Sequence, residues 1–131
     1  MSGRDVYNVG VKELLPDPRR LGSASTARTY PVQAERLART VEEAVRELPR
    51  WSLTDSSETE VRASRNTRFL GLTHEVTVRL TPSPAGTHTN TRAEFRSASR
   101  IGLPELGQNR RNLDDLIAEI YRKLTSRTSE L

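Results

Sequence analysis

Between Glu60 and Ser99 the chain alternates apolar and polar residues with a period of two, and on each side of this region it carries a helical apolar stripe. Val76, Val78 and Leu80 fall on one side of a strand over Thr73–Thr81, with Glu75, Thr77 and Arg79 on the other. Over Thr91–Ser99, Ala93, Phe95 and Ser97 oppose Arg92, Glu94 and Arg96 in the same way. Glu60–Ser64 repeats the pattern with Val61 and Ala63, and a short segment, Trp51–Asp55, opens on the single tryptophan. Clean alternation of this kind requires a half-buried antiparallel sheet with one wet face, because a slip of one residue would turn every apolar side chain to water. The stretches Asn66–Gly71 and Pro82–Gly86 carry the breaker residues that turn the chain between strands.

The flanking segments have a different period. Leu37, Val41, Ala44, Val45 and Leu48, extended by Ala34 and Ala38, recur at helical spacing, and Pro49 stops the run. Leu113, Leu116, Ile117, Ile120, Tyr121 and Leu124 form a second stripe over 109–124. Thr29–Val32, ahead of the first stripe, is expected to be extended because of Pro31. The expected fold is therefore α+β: a four-stranded antiparallel sheet with two helices packed on one face, in the order α-β-β-β-β-α. One domain is expected over 29–125. Residues 1–28, mixed in Gly, Pro, Ser and charge, are expected to form a loosely ordered arm, and 126–131 a frayed tail.

Composition narrows the function classes. Of 131 residues, 34% are hydrophobic and 29% charged, enough for a modest core. No apolar run approaches the roughly 20 residues that cross a bilayer, and the first residues contain no stretch resembling a secretory signal, so a cytoplasmic location is expected. The absence of cysteine removes disulfides, thiol nucleophiles and cysteine-ligated zinc. Two histidines, His74 and His88, are too few for a transition-metal site, and no dinucleotide or phosphate-loop fingerprint implies a cofactor. The formal charge is +4, with arginine far outnumbering lysine, but basic residues are interleaved with acids. Only 5% of residues are aromatic, so the sheet lacks the stacking platform that RNA-binding sheets present, and nucleic acid is an unlikely partner.

The polar run from Arg96 to Arg111 joins the last strand to the last helix and holds the candidate site. Arg96 and Arg100 share one strand face about 13 Å apart, too far to clamp one small carboxylate together. Asn109 is a candidate N-cap. Arg110 and Arg111 fall in the first turn, where the helix dipole disfavours cations by roughly 0.3–1 kcal/mol each. A helix start supplemented by arginines is suited to an anion. The expected ligand-binding set is Arg96, Arg100, Arg110 and Arg111 for charge, Asn109 for orientation, and Ser97 and Ser99 as secondary donors. No catalytic or metal residue is assigned. Salt bridges from Arg110 and Arg111 to Asp114 and Asp115 at i,i+4 are the structural alternative.

The run RSASRIGLPELGQNRR resembles the signature of a family of bacterial and plastid proteins known as domain of unknown function 1499. That signature has an Arg-Ser-x-Ser-Arg stretch, a glycine, an acidic-x-Gly-x-Asn turn and a basic helix start, matched here by Arg96–Arg100, Gly102, Glu105–Asn109 and Arg110–Arg111. The resemblance covers about residues 29–124 and implies no established activity. Two positions depart from it: Glu105 stands where aspartate is usual, and the acidic pair that opens the third strand reads His74-Glu75. The leading functional expectation is a non-enzymatic module that binds an anionic small molecule or an acidic protein segment. The alternative is a hydrolase-like enzyme using His74 with Glu75 or Glu105, which requires His74 and a carboxylate to converge. Weak nucleic-acid binding is a third.

Overall fold

The computed structural model describes residues 22–67, 73–83, 89–99 and 107–130, with side chains through Ser126. The elements run β1 (Ser23–Tyr30), α1 (Ala34–Glu47), β2 (Trp51–Ser56), β3 (Glu60–Asn66), β4 (Thr73–Pro82), β5 (Thr91–Ser99) and α2 (Gln108–Glu130). The sheet has five strands, not the expected four, and its order is β1-β5-β4-β3-β2 with every neighbour antiparallel. Strands β2 to β5 form a meander, and α1 carries the chain from β1 at one edge to β2 at the other.

The additional strand is SASTARTY, a segment expected to be divided between the loosely ordered arm and the short extended stretch at Thr29–Val32. Its inward positions, paired opposite Ser97, Phe95, Ala93 and Thr91, are Ala24, Thr26, Arg28 and Tyr30. Only the last is a large apolar residue, so no hydrophobic alternation marks the strand. Its conformation follows from the edge of β5, whose backbone groups need partners. Most of the expected arm, residues 1–21, lies outside the described residues.

Both helices cover one face. Helix α1 packs over β2, β3 and β4, while α2 packs over β1, β5 and β4, and the helices also meet each other. Leu37, Val41, Ala44 and Val45 of α1 and Leu113, Leu116 and Ile120 of α2 are fully buried against Val61, Val76, Val78 and Phe95. Lys123 ties the helices together by pairing with Glu47 across them and with Glu119 on its own helix. The hydrogen bond from Lys123 holds the Glu47 carboxyl below its ordinary pKa. On the opposite face Glu60 takes both Arg62 and Arg79, at 2.8 and 3.2 Å, and these bonds hold its pKa down. On the same wet face Arg92 lies 3.7 Å from Glu94.

Tyr30 closes the core at the end of the sheet where it faces Thr91. Its hydroxyl is buried and has no hydrogen-bond partner among the described residues. Burial pushes the phenol up to about 12, partly opposed by the charge of Arg28. The fold therefore accommodates the neutral form. That contribution is complete below the unfolded value of about 10 and is lost as pH rises from there toward 12. Tyr30→Phe should be at least as stable as the parent at pH 7 and should lose less stability between pH 10 and 12. Urea titrations at the two pH extremes check this, and identical losses in the two proteins would contradict it.

Candidate functional site

The apolar inner face of the sheet gives way to polar residues at the end where α2 begins. Register places Trp51 opposite Arg65, Arg65 opposite His74, and His74 opposite Ser99, a row crossing four strands on the helix-covered face. One step inward, Ser97 lies between Val76 and Ala24. His74 has the same parity as Val76, Val78 and Leu80, which is why it is buried. Helix α2 lays Asn109 and Asn112 over these positions, and both are fully buried.

Asn109 is inside the helix rather than at its N-cap. The first helical hydrogen bond runs from Arg111 N to Gly107 O at 3.1 Å, and Asn109 reaches sideways into the sheet. Its Nδ2 donates to the carbonyl of Gly22 and to Ser99 Oγ at 3.3 Å. Its Oδ1 accepts from Ser97 Oγ at 2.7 Å and lies 2.9 Å from His74 Nδ1. Ser97 Oγ in turn accepts from Asn112 Nδ2 at 3.1 Å. Asn112 Oδ1 accepts from Gln108 Nε2 at 2.7 Å and from Arg65 Nη1 at 3.0 Å. Arg65 also donates to Asp115 Oδ2 at 2.8 Å, and its guanidinium lies 5.6 Å from the Trp51 ring centroid. A continuous polar knot thus joins the turn before β1, three strands and the first two turns of α2.

The knot fixes one protonation site by logic alone. A backbone carbonyl only accepts, so the group facing Gly22 O must be the Asn109 amide nitrogen. The amide oxygen then faces His74, and Nδ1 must carry a hydrogen. In the neutral ring, Nε2 is left as an acceptor. It is buried without a partner among the described residues, a condition that costs about 1–3 kcal/mol when nothing fills it. Gly22 and Gly107 both adopt positive φ, 88° and 84°, conformations that favour glycine. At Gly22 this turns the carbonyl toward both Asn109 and the amide of Ser99. At Gly107 a Cβ would sit 3.2 Å from Arg111 Nη1, because the Arg111 side chain folds back over the helix start.

The predicted site residues divide between two faces. Ser97, Ser99 and Asn109 come together in the knot. Arg96 lies opposite Thr77 on the outer face of the sheet, exposed and away from the serines that flank it. Arg110 and Arg111 are exposed on α2: Arg110 is 3.6 Å from Asp114, and Arg111 donates to Gln108 Oε1 at 3.2 Å. The i,i+4 partner considered for Arg111, Asp115, pairs with Arg65 instead. Arg100, Glu105 and His88 lie outside the described residues. Sequence reasoning missed Arg65, Asn112 and Gln108. Asn112 carried a signal, since it follows Asn109 by three and precedes Leu113, on the buried side of the helix.

The chain belongs to the DUF1499 family. The sequence model of that family, described as a protein of unknown function, matches residues 12–120. No curated protein matches the chain. Among solved structures, protein MLL2253 from Mesorhizobium loti is similar over 79% of this chain and 97% of its own, at 13% identity and a TM-score of 0.56. DR_A0006 from Deinococcus radiodurans covers 77% of this chain and 96% of its own, at 14% identity and a TM-score of 0.43. The first is a likeness of fold. Within the Arg96–Arg111 run, Asn109 hydrogen-bonds both Ser97 and Ser99, which brings the end of β5 against the start of α2.

The hydrolase geometry is not met by His74 and Glu75, which point to opposite faces, one buried and one exposed. Ser97 donates to Asn109 rather than to the imidazole. Among the described residues no cluster of three His, Asp or Glu could hold a metal, and no helix is long and apolar enough to cross a membrane.

Asn109→Ala would leave His74 Nδ1–H with only Ser99 Oγ, 3.4 Å away, and strand the Ser97 hydroxyl proton and an acceptor site on Gly22, at about 1–3 kcal/mol for each group left unsatisfied. It should cost at least about 3 kcal/mol in denaturant unfolding. Arg110→Ala, which removes only an exposed pair, should cost under about 1 kcal/mol. Equal effects would contradict the knot.

Proposed function

We propose that this DUF1499 domain is a non-catalytic binding module that takes a small anion, or the carboxylates of an acidic protein segment, at the junction of β5 and α2. The observation that carries the reading is that Arg65, Arg110 and Arg111 each pair with a residue in the first two turns of α2, whose first turn contains no acidic residue. Cations at this end of a helix oppose the dipole, and an anion resolves the conflict by meeting both. The partners that Arg110 and Arg111 now have are weak and exposed, and so are readily exchanged for a ligand. Asn109, Ser97 and Ser99 hold the helix start in place, and Arg100, next in sequence after β5, is proposed as a further cation of the set. Arg96, on the outer face, is left to solvent.

Anion binding to the native state raises the melting temperature by mass action. At low salt, millimolar phosphate or citrate should stabilise the protein by a few degrees, and the effect should fade as sodium chloride rises. The double variant Arg110→Ala/Arg111→Ala should lose most of the response. A melting temperature indifferent to every anion, or equal responses from parent and variant, would sink the proposal. Salt-sensitive retention of generic RNA or DNA on a filter would favour a nucleic-acid reading instead.

A further inference from the structure

Three buried side-chain polar atoms among the described residues have no hydrogen-bond partner: Tyr30 Oη, Trp51 Nε1 and His74 Nε2. Tyr30 sits at the far end of the sheet, opposite Thr91. The other two flank Arg65 in the row at the start of α2, one strand away on each side. Trp51 and His74 are 7% and 1% exposed, so bulk water does not serve them. With strands about 4.8 Å apart, the row spans roughly 9.5 Å, the reach of a small organic acid. Across it stand an N–H donor, a guanidinium and an acceptor nitrogen, the last fixed by the orientation of Asn109.

We propose that this row recognises a hydroxycarboxylate, a reading that rests on the anion-binding role above and names its ligand class. The carboxylate accepts from Arg65 and from Trp51 Nε1–H, and the hydroxyl donates to His74 Nε2. An ammonium group could also donate to Nε2, but its charge would be repelled by Arg65 beside it; a hydroxyl is the neutral donor. Asp115 now occupies Arg65 at 2.8 Å with its side chain 49% exposed, as a ligand carboxylate would. It is the internal competitor, and it can swing to solvent when displaced.

Calorimetric titration of the full chain at low salt with malate against succinate, and lactate against propionate, tests the assignment. In each pair only the hydroxyl differs, and the hydroxy acid should bind about tenfold more tightly, the effect of one buried hydrogen bond. His74→Leu should erase that preference while leaving succinate binding in place. Asp115→Asn, on the surface and safe for folding, should tighten malate several-fold by weakening the competitor. Equal affinities within each pair, or binding of phosphate but of none of the four acids, would overturn the hydroxycarboxylate assignment and leave the anion reading standing. Absence of binding by any anion would overturn both. If His74→Leu does not fold, Asp115→Asn decides: unchanged malate affinity in that variant overturns the assignment.

Discussion

Asn109 uses all of its hydrogen-bonding capacity at one point in the fold: two donors to Gly22 and Ser99, two acceptor positions to His74 and Ser97. The apolar stripe of α2 could slide along the sheet by a turn at modest cost, since Leu and Ile pack in many ways. An asparagine amide buried against four polar groups cannot slide, because each broken bond leaves a buried group unsatisfied in a low-dielectric interior. The amide therefore sets where α2 begins, which positions Asn112 over Ser97 and Asp115 over Arg65. It also reaches the turn before β1, so the same interaction secures the edge strand whose own sequence specifies it poorly.

Much of this organisation is legible in the residues. Strands β3 to β5 follow from alternation, β2 from the short segment that opens on Trp51, and the helices from their stripes and from Pro49. Strand β1 does not follow, since Ala24, Thr26 and Arg28 give no hydrophobic period and the strand depends on pairing with β5. At the site, parity was the readable signal. His74 stands two residues before Val76 and shares its face, and Asn109 and Asn112 stand on the buried side of α2. Polar residues at inward positions of two elements are a pattern that local reading undervalues, because each looks out of place until its partner is known. The pairing of Arg65 with Asp115 joins residues whose positions become neighbours only after the sheet and helix pack, so no spacing reveals it.

The Arg-Ser-x-Ser-Arg stretch reads differently once the strand is drawn. Its two serines point inward to the knot, while Arg96 points to the wet face. One short motif thus contributes to two surfaces, and its clustering along the chain does not mean clustering in space. The charge at the helix start comes instead from Arg110 and Arg111, while Arg65, whose guanidinium rests over Trp51, pairs with Asp115 in the second turn. Rigidity and charge at the helix start are thus supplied by different residues.

The Gly22 carbonyl orients Asn109, and Asn109 in turn fixes the ring of His74. Nitrogen-15 correlation spectroscopy of the imidazole, on the unliganded protein near pH 8, tests it directly. A protonated Nδ1 and an unprotonated, pyridine-like Nε2 are expected. A ring protonated on Nε2 instead, or one exchanging freely between the two tautomers, would contradict it.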